Sequence, residues 1–191
     1  MQYEMVIAGF GGQGALLIGK MLAYAGMKEG KEVSWFPSYG PEMRGGTANC
    51  TVVISDRPVG SPVVQRPRAL LALNLPSLDR FEDAVRPGGV ILYNTSLVNR
   101  ECRRTDVVVV PVAANDLANA LGNPKGANMV ALGAFVGATE VVPMTQVEAL
   151  VRETFARKPA LVDVNLQCLQ AGFGEARRCV EGRDRPAAPG M

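Results

Sequence analysis

The chain has 191 residues, 48% of them hydrophobic, with 20 lysines and arginines against 18 aspartates and glutamates. That size buries a sizeable core in one domain, and the apolar share argues against wholesale disorder. Near-balanced charge leaves no basic footprint for nucleic acid, and no apolar run approaches the ~20 residues that span a bilayer.

Met1-Gln2-Tyr3-Glu4 leads straight into the apolar run Met5-Val6-Ile7-Ala8, a buried-strand signal without a basic leader. The expectation is a cytoplasmic protein with no signal peptide and no membrane partner. From Gly14, Leu17, Ile18, Met21, Leu22 and Ala25 recur at helical spacing. Residues 33–36 read as a second strand and 49–54 as a third, antiparallel if paired with its neighbour, because the intervening loop is too short for a crossover helix. Residues 69–73 and 89–93 are further strands, with a helix over 75–85 stopped by Pro87-Gly88-Gly89. The β-branched run within 106–112 suits a strand covered on both faces.

Helices are then predicted over 115–121, 128–139 and 145–156, the last capped by Thr145. A final helix over 163–178 is expected to open at Pro159 and to break or kink near Gly172 and Gly174. The fold class is therefore α/β: a three-layer sandwich with a mostly parallel, Rossmann-like sheet. Residues 1–178 form a single domain, and the polar, proline-rich residues 179–191 are expected to be a frayed tail.

Cys50, Cys102, Cys168 and Cys179 are widely scattered and there is no histidine, so buried, reduced thiols are expected and no metal on this chain. Nor is there a general base or a nucleophile–base pair at recognisable spacing, which gives no catalytic residue. The Gly-Asp-Gly pattern with a downstream Asn that marks thiamine diphosphate sites is also missing.

Two motifs remain. Gly9, Gly11 and Gly14 satisfy G-x-G-x-x-G between a predicted strand and helix, with Gly12 and Gln13 inside the turn. Such glycines permit a tight turn that leaves helix N–H groups facing an anion. The acid that holds a ribose hydroxyl about 20 residues on is missing, since the second strand ends at Trp35-Phe36. Three readings stay open: a nicotinamide cofactor, contact with a phosphate or pyrophosphate alone, or packing only. Gln13 is unusual for packing, and its amide is placed to bond a ligand or a partner chain.

The second motif runs from Ser38 through Tyr39, Gly40, Glu42, Met43, Arg44, Gly45 and Gly46 to Asn49. Pro37 and Pro41 stiffen this loop, while Trp35, Phe36, Tyr39 and Met43 are expected to cluster around its charges. Aromatics, Met and Arg are enriched at interface cores, so an anchor for another subunit is expected in preference to a solvated loop, with ligand contact by Arg44 as an additional reading.

Together Gly9-Phe10-Gly11-Gly12-Gln13-Gly14 and Pro37-Ser38-Tyr39-Gly40-Pro41-Glu42-Met43-Arg44-Gly45-Gly46-Thr47-Ala48-Asn49 resemble the gamma subunit of 2-oxoacid:ferredoxin oxidoreductases. The match continues through Ser55-Asp56, Ser61-Pro62 and Asn74-Leu75-Pro76-Ser77, to about Arg178. The resemblance implies a complex that oxidatively decarboxylates a 2-oxoacid to an acyl-CoA and passes electrons to ferredoxin. It places thiamine diphosphate, Mg and iron–sulfur clusters on alpha, beta and ferredoxin-like delta partners, and leaves this chain a structural role with a contact to CoA. Pyruvate-type members tend to carry Ser-Phe-Gly-Pro-Glu-Arg-Arg-Gly-Ala in the loop. The loop here is closer to 2-oxoglutarate and branched-chain members. The rival classes are a stand-alone nicotinamide-dependent oxidoreductase and an interaction-only scaffold.

Overall fold

The structure, a computed structural model, describes residues 1–39 and 46–183. Strand β1 (Gln2–Phe10) leads to helix α1 (Ala15–Lys28), then to strands β2 (Glu32–Tyr39) and β3 (Thr47–Ser55). Strand β4 (Ala69–Ala72), helix α2 (Leu75–Phe81) with a 3₁₀ turn over Glu82–Ala84, and strand β5 (Val90–Asn94) follow. Strand β6 (Val108–Val112) and helices α3 (Ala114–Ala120), α4 (Ala127–Thr139), α5 (Met144–Phe155) and α6 (Pro159–Arg183) complete the chain.

The six strands form one sheet in the order β2-β3-β1-β4-β5-β6. β1, β4, β5 and β6 are parallel neighbours, whereas β3 runs antiparallel to both β1 and β2. β4, buried along its whole length, carries only Ala and Leu, as expected where helices or connections cover both faces. On one face Met5, Ile7, Leu71, Leu92 and Val110 meet Ile18 and Leu22 of α1 and Leu132 and Phe135 of α4. On the other Val6, Ala8, Leu70, Ala72 and Ile91 meet Leu78 of α2, Val85 and Val98. This is the expected three-layer sandwich.

Several details differ from the sequence reading. β2 extends to Tyr39, and β3 begins at Thr47, so Ser38, Tyr39 and Asn49 are ladder residues: Ser38 pairs with Asn49 and Tyr39 with Ala48. α5 starts one residue before Thr145, which makes no capping bond; Pro143 occupies the cap position. α6 is unbroken through Gly172 and Gly174 and runs to Arg183, past the boundary expected at residue 178.

The reason for Gly172 is close packing. A Cβ there would lie 1.9 Å from the Val130 carbonyl oxygen, and one at Gly133 would lie 1.8 Å from that of Leu169. α4 and α6 therefore meet backbone to backbone, which any larger residue prevents. α4 itself is buried along most of its length, with Met129 through Gly137 all inside. Among the described residues, no helix is long and apolar enough to cross a membrane.

The connection from β5 to β6 is held by ions. Glu82 is fully buried, and its carboxylate accepts from the Arg100 guanidinium at 2.6 Å and from the Arg103 backbone N–H at 3.3 Å. Arg104 donates to the carbonyl oxygens of Glu82 and Val85 and to the Asp106 carboxylate. These bonds pin residues 100–106 beneath α2, where little apolar surface is available to do so.

Candidate functional site

The chain reverses its winding between β1 and β4. The turn after β1 sends α1 to one face of the sheet, and the connection after β4 sends α2 to the other. A crevice opens at such a reversal, beyond the carboxyl ends of the strands, and is the general ligand position of open α/β sheets.

The glycine turn forms one wall. Gly12 (φ 95°) and Gly14 (φ 88°) adopt left-handed backbone, which L side chains rarely tolerate. Gly14 is the cap residue of α1, and a Cβ there would stand 2.7 Å from Asn128 Nδ2. A Cβ at Gly9 would meet Gln13 Oε1 at 2.8 Å and Leu73 Cβ at 3.1 Å. The Gly11 N–H donates to the Gly46 carbonyl oxygen at 2.9 Å, which ties the turn to the end of the second motif.

Gln13 has a structural duty. Its Oε1 accepts from the Phe10 N–H at 2.6 Å and from Asn74 Nδ2 at 2.8 Å. Asn74 is buried and caps α2, its Oδ1 accepting from the Ser77 N–H at 3.0 Å. One side-chain pair thus bridges the two connections at the reversal point.

Two cavities flank Gly12. One, about 410 Å³, is lined by Gln13, Asn94, Asn115, Lys125 and Asn128 among others. The second, about 570 Å³, is more apolar, with Phe10, Leu16, Leu17 and Ala48 in its wall and Gly12 and Asn128 shared with the first. Asn94, at the end of β5, is buried and saturated. Its Oδ1 accepts from the N–H groups of Ala114 (3.0 Å) and Ser96 (3.3 Å), and its Nδ2 donates to Asn115 Oδ1 (2.8 Å) and the Leu73 oxygen (3.4 Å).

The structure brings Gly9, Gly11, Gly12, Gln13 and Gly14 together as expected. In the second motif it places Ser38, Tyr39, Gly46 and Asn49; Gly40, Glu42, Met43, Arg44 and Gly45 lie outside the described residues. Trp35 and Phe36 do not cluster. Trp35 reaches Gly19 on the α1 side, whereas Phe36, half exposed, joins Val6 and Phe81 in a groove on the opposite face. Successive strand residues point to opposite faces, so one charge centre cannot gather both.

The ribose-acid test also changes meaning. β3 intervenes between β1 and β2, so the tip of β2 is not beside the turn, where the dinucleotide pattern needs its acid. The sequence reading missed Asn94, Asn115, Lys125 and Asn128. A signal was available: Asn74, Asn94 and Asn115 each stand at or just beyond the carboxyl end of a parallel strand.

Burial pushes the Cys50 thiol up to about 12, against a smaller opposing effect of a hydrogen bond from Trp35. Cys168 is buried as well, and its thiol is raised by the same cause. Among the described residues, no three of His, Cys, Asp and Glu stand together as a metal site.

The fold and crevice define an α/β domain of dinucleotide-binding architecture with an antiparallel strand inserted beside β1. The family model for pyruvate ferredoxin/flavodoxin oxidoreductase matches residues 4–175, and the chain belongs to that family. It is 46% identical over 183 residues to the ketoisovalerate oxidoreductase subunit VorA of Methanothermobacter thermautotrophicus, covering 95% of this chain and 38% of that protein. The chain thus spans less than two fifths of that relative's length. With the 2-oxoglutarate synthase subunit KorC of Methanocaldococcus jannaschii it shares 32% identity over 93% of this chain and 95% of the relative. The crystal structure of the gamma subunit of a keto/oxoacid ferredoxin oxidoreductase from Geobacter sulfurreducens superposes with a TM-score of 0.76 at 34% identity, covering 91% of this chain and 98% of that one.

Proposed function

We propose that this chain serves as the gamma subunit of a thiamine diphosphate-dependent 2-oxoacid:ferredoxin oxidoreductase. The complex oxidatively decarboxylates a 2-oxoacid of the branched-chain or 2-oxoglutarate type to its acyl-CoA and reduces ferredoxin. The observation that carries this reading is the hydrogen bond from Gly11 to Gly46, which joins the glycine turn to the last residues of the second motif. The higher identity to VorA than to KorC favours a branched-chain substrate.

The donor set of this chain suits neither an iron–sulfur cluster nor thiamine diphosphate. Cys50 and Cys168 are buried in the core, and no cysteine joins a cluster of possible ligands among the described residues. Those groups belong to the alpha, beta and delta partners, and with them the carbon–carbon cleavage and electron transfer. The residues around Gly12 do suit part of CoA: its phosphates carry acceptor oxygens, and the turn leaves backbone and amide donors beside two adjoining cavities. This chain's share is to bind and orient, with Tyr39, Glu42, Met43 and Arg44 anchoring the partner surface.

Co-expression with candidate thiamine-binding and ferredoxin-like subunits from the same source tests the reading. The expected result is a stable complex with 2-oxoacid- and CoA-dependent ferredoxin reduction, best with 2-oxoisovalerate, and no activity in the chain alone. Arg44→Ala should weaken assembly. Failure to recover a thiamine-binding partner, or decarboxylation by the isolated chain, overturns the proposal.

A further inference from the structure

Helix α2 and the turn that follows it have two unlike flanks. On one, Asp79 and Glu82 direct their carboxylates to Arg100, so the acids are consumed there. The other carries Arg80 and Phe81, with the guanidinium 5.2 Å from the centre of the ring. Arg80 and Arg66 are both exposed, and among the described residues neither enters an ion pair.

Between this flank and residues 63–67 runs a groove of about 510 Å³, floored by Val6, Phe36, Ser38, Asn49 and Thr51. Its far bank is fixed by three bonds. The Thr51 hydroxyl donates to the Pro62 oxygen at 3.0 Å, the Val63 N–H to Ser61 Oγ at 3.1 Å, and Arg86 Nε to the Arg66 oxygen at 3.2 Å. The groove is thus built before anything occupies it. Phe36 is 50% exposed and Val63 63%, apolar surface of the kind that marks a contact. Ser38 and Asn49, paired across the strands of the floor, make no side-chain hydrogen bond among the described residues. The described lining holds no carboxylate.

The volume suits a short segment rather than a folded domain, and the charge selects which segment. A second copy is disfavoured, because a twofold contact would set Arg66 and Arg80 of one copy against those of the other. Resting on the reading of the chain as one subunit among several, we propose that this groove docks an extended acidic segment of a partner subunit. One apolar anchor of that segment sits between Phe36, Val63 and Phe81, and its carboxylates meet Arg66 and Arg80, where guanidinium forks bind them well.

The test titrates the ¹⁵N-labelled full chain with the peptide Asp-Glu-Asp-Leu-Phe-Glu-Asp and with a counterpart carrying Lys at every acidic position. Saturable shifts of the Phe36, Thr51, Val63 and Phe81 amides are expected with the acidic peptide alone. Arg80→Glu, an exposed change, should melt near the parent temperature and bind at least tenfold more weakly. Phe36→Ser should do the same, with Val63→Ser in its place if that variant fails to fold. No saturable shift, equal binding of the basic peptide, or parent-like affinity in the folded variants overturns the proposal. So does a dimer of the chain alone that Phe36→Ser dissolves, which would assign the groove to a second copy. Recovery of a thiamine-binding partner is read separately: its failure overturns the subunit reading, while the peptide titration still decides the groove.

Discussion

The two halves of the sheet handle polarity in opposite ways. In the parallel half, β1, β4 and β5 are covered on both faces, and polar side chains are displaced to the carboxyl rim; β6, expected to be covered on both faces, is instead the edge strand, with Pro111 exposed. There Asn74, Asn94 and Asn115 gather around the reversal of winding. In the antiparallel half, β2 is an edge strand whose Phe36 is half exposed on the face away from α1. Enclosure produces a small cavity with ordered donors; an open edge produces aromatic surface suited to another protein. Under the proposed function, that difference assigns small-molecule contact to the rim and subunit contact to the edge.

The largest effects should come from the enclosed half. Gly133→Ala drives a Cβ into the Leu169 carbonyl and should cost about 3 kcal/mol or more, read as a lower urea midpoint. Glu82→Ala leaves Arg100 without its buried partner; because Arg100 is partly exposed, about 2–3 kcal/mol is expected from the same measurement. Asn74→Ala removes the α2 cap and frees Gln13, for about 1–2 kcal/mol, with broadened amide signals from the glycine turn.

An alkaline titration probes the α1-covered face where the two halves join, with Tyr3 on β1 and Cys50 on β3. Burial raises the Cys50 thiol and the Tyr3 hydroxyl each to about 12, from ordinary values of 9.0 and 10.0. Their neutral forms are favoured in the fold, so this stability is complete below pH 9 and is lost as pH rises from 9 towards 12. A loss of about 1 kcal/mol by pH 10 is expected for Cys50 alone, and Cys50→Ala should flatten the profile. The smallest effect on folding belongs to the open edge. Phe36→Ser should change stability by no more than about 0.5 kcal/mol yet reduce partner capture in the co-expressed complex. A large loss of stability with intact capture would erase the contrast between the halves.

Much of this was legible in the chain itself. Each predicted strand and helix has a counterpart, because apolar periodicity reports which faces are covered. The glycine turn was legible because its spacing encodes backbone geometry as well as chemistry. Gly172 was misread as a break: a glycine within a helix looks the same whether it ends the helix or admits a neighbour. Gln13 was recognised as unusual, but its internal partners, Asn74 and the Phe10 N–H, could not be anticipated.

What the sequence by itself determined was local: element types, the positions of turns and the family, all of which rest on short-range spacing and residue identity. The tertiary structure decided which Asn residues meet, and that the Gln13 and Asn115 amide oxygens are bonded within the protein. It also decided that β3 would separate β1 from β2. Those outcomes depend on hydrogen bonds between residues 20 to 61 positions apart, and only a folded chain brings such partners within 3 Å.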